Sequence, residues 1–383
     1  MGLSAMFQRF QSRRSTRAFH PISGALRACV LGASLLTGGC ATSRPASTEA
    51  AASSTPSPYG ADATHGAGYT LLTFEDPARH RSLKTVLWYP SAPDVPMVEN
   101  AASPIFVPFQ AAKDAPAASS QARWPLVVLS HGNGGEAINM SWFGAHLAAH
   151  GFMVVSVNHP GNSYGDTSPE GYVRGWERPR DFTALLDGLL AHPSWGPRVD
   201  PERIGAAGHS MGGYTALALV GARLNLKTLA DICTSPATRD HPGCEDLRDV
   251  DYSRIDFAEA RASYKDSRVR AAFAMAPGMA GTYEARDVAD ITAPVALVLA
   301  KGDELMPHEE NGVHLAKLLP TAKTVVLDDA AHFTFLPQCA ELGFKVAPML
   351  CRDAKPGTRA DSQARTNAEA VAFFRRTLEV QSR

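Results

Sequence analysis

Six short apolar runs recur along the chain, each of strand length and each followed by a longer amphipathic or helix-forming segment. They are PLVVLS (Pro125–Ser130), FMVVSV (Phe152–Val157), RIGAAGHS (Arg203–Ser210), RAAFAMAP (Arg270–Pro277), PVALVLA (Pro294–Ala300) and KTVVLDD (Lys323–Asp329). Uninterrupted apolar strands must be buried on both faces, and that requires helices packed above and below a parallel sheet. The intervening segments suit helices: Met140–Gly151, Arg178–His192, Met211–Leu224, His308–Leu318 and Ala360–Leu378. Upstream, YTLLTF and LKTVLWYP flank the polar turn EDPARHR and predict an antiparallel hairpin. The expected fold is α/β: a mostly parallel, doubly wound sheet with an N-terminal hairpin. Ligands on such a sheet bind at the carboxyl ends of its strands.

One of those ends carries Gly208-His209-Ser210-Met211-Gly212, a G-x-S-x-G pattern with a strand before it and a helix after it. Glycines at both flanks allow a turn so tight that any Cβ there would collide. The hydroxyl then meets the free N–H groups of a helix N-terminus, which favour an anion. A serine alone is a poor nucleophile and needs a base, itself oriented by an acid. At such an elbow the partners follow in the order Ser, Asp or Glu, His. Asp303 stands just past the PVALVLA run and His332 just past KTVVLDD. His332 is the expected general base and Asp303 its orienting acid; Glu304, Asp328 and Asp329 compete for the latter role. The developing oxyanion needs two donors. The backbone N–H of Met211 is one. The second is expected from the loop SHGNGG, at Asn133, with Gly134 as the alternative, and His131 is expected to brace that loop.

Rival chemistries fit less well. GNGGEA (Gly132–Ala137) matches a dinucleotide-binding fingerprint, but the following strand ends in Asn158 and His159 rather than an acid for the ribose. No H-E-x-x-H occurs and the cysteine spacings match no zinc module, so neither a metal nor a cofactor is expected. With 37 basic and 38 acidic residues the chain has no basic footprint for nucleic acid.

Residues 1–40 combine five arginines, no acidic residue and the short apolar core ACVLGASLLTGGC, the pattern of a secretory leader. Its ending LLTGGC resembles a bacterial lipoprotein signal, which implies acylation at Cys40 and membrane anchoring, although Thr37 departs from the usual leucine; simple cleavage near Ala41 is the alternative. Residues 41–65, rich in Ser, Ala, Thr and Pro, predict a disordered tether ahead of a catalytic body at 66–383. Of the cysteines beyond the leader, closeness in sequence favours pairing Cys233 with Cys244 and Cys339 with Cys351, which an oxidising compartment permits; buried free thiols are the alternative. The expected location is the periplasm or the outer membrane of a bacterium.

PLVVLSHGNGG, LAAHGFMVVSVNHPGN, RPRDFTALLDGLL, GHSMGG, KGDELMP and HFTFL together resemble the α/β-hydrolase superfamily over about Tyr69–Leu378. The likeness is to its predicted dienelactone hydrolases and platelet-activating-factor-acetylhydrolase-like esterases. It implies cofactor-free hydrolysis of carboxylic esters through Ser210, Asp303 and His332, although dienelactone hydrolases proper use a cysteine nucleophile. The loop after the first run also resembles that of bacterial polyester hydrolases. At 224–269, where the superfamily often carries a cap, this chain has a polar insertion, which suits small or short-acyl esters better than triglycerides. A phospholipase A2-like activity and, outside enzymes, a ligand-binding lipoprotein are the alternatives. His159, Tyr164 and Trp176, in or beside the segment Asn158–Trp176, are expected to line the acyl pocket.

Overall fold

The structure, a computed structural model, describes residues 57–378 apart from 245, 246, 248 and 249. The expected leader with Cys40, and the expected tether up to residue 56, lie outside the described residues.

The predicted hairpin is present at the start of the sheet-forming chain. β1 (Gly66–Asp76) and β2 (Arg81–Ser91) pair antiparallel along their full length. Two short strands follow, β3 (Val98–Asn100) and β4 (Phe109–Lys113), and then the predicted run as β5 (Trp124–Ser130) and β6 (Met153–Val157). β7 (Asn162–Ser163) and β8 (Asp166–Thr167) make a separate small hairpin. β9 (Val199–His209), β10 (Val269–Met275), β11 (Val295–Ala300) and β12 (Lys323–Leu327) complete a ten-stranded sheet of order β12-β11-β10-β9-β5-β6-β2-β1-β4-β3. From β12 to β6 every pairing is parallel, and the antiparallel strand pairs of this sheet, β6–β2, β2–β1 and β4–β3, lie at the hairpin end. β5 lies between β6 and β9, and the helices that follow β5 and β6 pack in opposite layers, so the strand order reverses at β5, the kind of switch point where such sheets bind ligands.

Alternation along the central strands feeds two cores. Leu126 and Val128 face one layer with Phe182, Leu185 and Leu189 of the helix Glu177–Ala191. Val127 and Leu129 face the other, with Phe143 and Leu147 of the helix Ser141–Ala149 and Phe373 and Phe374 of the helix Arg359–Leu378. Burying both faces explains why these strands read as unbroken apolar runs.

Residues 57–65 depart from the tether expected for them. Thr64 and His65 donate their N–H groups to Ala149 O, and the Tyr59 hydroxyl donates to Gln110 O. The His65 ring meets Trp124 edge-on at 5.0 Å. Tyr59 and His65 supply apolar contact that the surrounding small residues lack. Both expected disulfides are present. Among the described residues no helix is long and apolar enough to cross a membrane.

Candidate active site

Ser210 occupies the step from β9 into the helix Met211–Leu219, with φ 55° and ψ −119°. That backbone region strains any residue with a Cβ. Its neighbours cannot carry one. A Cβ on Gly208 would lie 2.2 Å from Gly212 O, and one on Gly212 would lie 1.9 Å from Ser130 O. The elbow is pinned on both sides, by Ser210 N to Met275 O at 2.9 Å and Gly278 N to Ser210 O at 2.8 Å.

His332 opens a short helical turn past β12, and Asp303 lies past β11. The structure brings both to the serine: His332 Nε2 is 2.9 Å from Ser210 Oγ, and Nδ1 is 2.7 Å from Asp303 Oδ2. A carboxylate only accepts, so Nδ1 carries the proton and Nε2 offers its lone pair to the hydroxyl. The N–H groups of Leu305 and Met306 hold Asp303 Oδ1 at 3.0 and 2.7 Å. All three side chains are buried. The competing acids are engaged elsewhere: Glu304 with Arg352, Asp328 with Lys301, Asp329 with Lys355.

The loop after β5 runs beside the serine; a Cβ on Gly132 would sit 3.5 Å from Ser210 Cβ. Asn162 clamps it, accepting from Gly134 N at 2.8 Å and donating to Asn133 Oδ1 at 2.6 Å. The Gly134 N–H is therefore occupied, whereas among the described residues no hydrogen bond ties down that of Asn133. Met211, as the first residue of its helix, has an N–H without an intrahelical acceptor. His131 braces the loop as expected: Nδ1–H donates to Gly132 O at 2.7 Å, and Nε2 lies 3.2 Å from Ser163 Oγ.

The pocket expectation needs correcting. His159 is wholly buried, with Nε2 on Ser130 Oγ at 3.0 Å and Nδ1 on Asp181 at 2.9 Å, so it is a brace under the loop rather than a wall of an open cleft. Burial holds it well below the ordinary imidazole value, with Arg178 and Arg81 adding to the effect. Trp176 is also wholly buried, in the layer containing Phe182 and Leu185. Of the three, only Tyr164 reaches solvent. Sequence could place these aromatic and imidazole groups near strand ends but not say which way they turn.

Three contributors escaped the sequence. His209, at the first variable position of the elbow motif, donates from Nε2 to His332 O at 2.9 Å and is kept neutral chiefly by burial. Asn162 and Arg178 hold the loop. The only prior signal was polarity within an otherwise apolar setting.

The insertion at 224–269 is docked. Leu226, Leu229, Cys233, Cys244 and Leu247 join the core, and a Cβ on Gly243 would lie 3.3 Å from Met306 Cε, in the loop that carries Asp303.

Residues 127–342 match the model of the Alpha/beta hydrolase family, and residues 67–169 that of Platelet-activating factor acetylhydrolase, isoform II. A segment of 91 residues is 35% identical to Lipase 1 of Moraxella sp. (strain TA144), covering 24% of this chain and 26% of that protein. A segment of 103 residues is 34% identical to Cutinase est1 of Thermobifida alba, covering 26% and 32%. Another of 112 residues is 31% identical to Bis(hydroxyethyl) terephthalate hydrolase of Streptomyces coelicolor, covering 29% and 33%. The chain thus spans about a third or less of the length of these relatives. In fold it is similar to the ferulic acid esterase from Streptomyces cinnamoneus, with a TM-score of 0.51 and 22% identity over 82% of this chain and 90% of that one.

Proposed function

This chain belongs to the alpha/beta hydrolase family, and on that premise we propose that it hydrolyses carboxylic esters through an acyl-enzyme on Ser210. His332 Nε2 takes the proton as Ser210 Oγ attacks the ester carbonyl, then returns it to the leaving alkoxide. Asp303 fixes the ring and stabilises the imidazolium. The N–H groups of Met211 and Asn133 receive the oxyanion. Water, activated by the same imidazole, releases the acid. The observation that carries this proposal is the line of contacts Ser210 Oγ, His332 Nε2 and Nδ1, Asp303 Oδ2, at 2.9 and 2.7 Å, on a serine held in a strained elbow.

Ser210→Ala should lower kcat on p-nitrophenyl acetate and butyrate by roughly 10⁴-fold or more and abolish labelling by a fluorophosphonate probe. Undiminished turnover would sink the assignment.

The polar insertion favours small or short-acyl esters. A second substrate class, polyester, is supported by the segments shared with the cutinase and the terephthalate-ester hydrolase. An acyl-chain panel set beside acid release from a polyester film separates the two. Activity confined to short p-nitrophenyl esters supports the first. The two disulfides favour an oxidising compartment, and we place the enzyme outside the bacterial cytoplasm, anchored at Cys40. Mass spectrometry of the mature N-terminus checks that, and an unmodified terminus at or after Ala41 overturns the anchor.

A further inference from the structure

Arg178, in the first turn of the helix Glu177–Ala191, is only 1% exposed. Among the described residues its side-chain hydrogen bonds run to neutral oxygens, never to a carboxylate. Nη1 donates to His131 O at 2.7 Å and Ser130 Oγ at 3.1 Å; Nη2 donates to Gly132 O at 3.0 Å and, more weakly, to Asn162 Oδ1 at 3.4 Å. Nε has no partner. The nearby carboxylate of Asp181 is taken by Arg81 at 2.7 and 2.9 Å and by His159. Burial pulls the guanidinium down to about 9, which leaves it charged at neutral pH. A buried cation without a directly paired anion is costly to keep, so its placement calls for a reason.

The reason lies in a single peptide unit. Gly132 O and the N–H of Asn133 belong to the same plane, and in a trans peptide they point in opposite directions. Whatever holds the oxygen therefore aims the N–H. That oxygen accepts from Arg178 Nη2 at 3.0 Å, His131 Nδ1 at 2.7 Å and Gly135 N at 3.2 Å. Donors on a carbonyl also polarise the unit and strengthen its N–H as a donor in turn.

We infer that Arg178 is a positioning residue for ester hydrolysis: together with His131 it orients and polarises the Gly132–Asn133 peptide, so that the Asn133 N–H meets the developing oxyanion. This rests on the oxyanion role given to Asn133 above. Arg178 touches no reacting atom. It acts through the peptide.

The test compares wild type, Arg178→Met and Arg178→Lys in turnover of p-nitrophenyl butyrate and in binding a trifluoromethyl ketone, whose adduct with Ser210 places an oxyanion at the same donors. For Arg178→Met we expect kcat to fall about 10- to 100-fold, less than the loss on deleting a donor outright. KM should stay within about threefold, and the ketone's Ki should weaken in parallel with kcat. Arg178→Lys, which retains the charge and some donors, should recover part of both. Unchanged kcat, or a fall in kcat with an unchanged Ki, overturns the inference. Should Arg178→Met not fold, His131→Ala removes the other side-chain donor to Gly132 O and is judged by the same two readouts. Ser210→Ala separates the failures. If it retains turnover, the esterase assignment itself falls. If it is inactive while the Arg178 variant is unimpaired, only the present inference falls.

Discussion

At Ser210 a reactive group sits where a side chain is least comfortable. Strain at such a φ and ψ is of the order of 1–3 kcal/mol for a residue with a Cβ, and glycine largely escapes it. Ser210→Gly should therefore unfold about 1 kcal/mol later than Ser210→Ala in urea, both being inactive; matching midpoints would show that the elbow stores no strain. Gly212 poses the opposite constraint. Its missing Cβ would meet backbone, Ser130 O at 1.9 Å, which cannot swing aside. Gly212→Ala is expected to cost about 3 kcal/mol or more, seen as a collapse of the urea midpoint or as loss of soluble protein. The serine, its flanking glycines and the two partners were legible because each carries a local signature, an elbow pattern or a strand end. Arg178, His209 and Asn162 were not. Their decisive bonds reach His131, His332 and Gly134, which lie 47, 123 and 28 residues away, and no local pattern announces such pairings.

The elements divide in the same way. Strands buried on both faces spell themselves out as apolar runs, and β5, β6 and β9–β12 were readable for that reason. β4 was not, because FQAAK is short and mixed, and its parallel pairing to β1 at Gly68 and Ala112 is decided by the sheet edge it finds. The disulfides were legible as neighbours in sequence, but the role of the first is clear only in place: Cys244 closes the loop whose Gly243 lies against Met306. Cysteines separated by 11 in sequence give a constraint of about 2–3 kcal/mol through the unfolded chain. Replacing Cys233 and Cys244 together by serine should lower the unfolding free energy by that amount, measured in urea without reductant. An unchanged midpoint would mean that packing alone holds the insertion.

For the whole molecule, the site's scaffold has a cost in acid. His131, His159 and His209 are each held well below the ordinary value of 6.5, chiefly by burial, so the folded protein keeps them neutral. The unfolded chain takes up those protons as pH drops past about 6.5, and the folded chain does not. Stability is thus complete above that pH and is lost below it, at up to about 1.4 kcal/mol per pH unit for each group. Urea midpoints at pH 7, 6 and 5 should fall progressively, and a flat profile would show that these imidazoles gain protons without unfolding. The sheet ends on β3, three residues long, and on β12, five residues long and opened by Lys323. Unpaired strand edges are where chains zip onto one another, and short or charged edges are poor templates for that. A protein whose main sheet terminates this way can be crowded at high local density and still leave its neighbours' backbones alone.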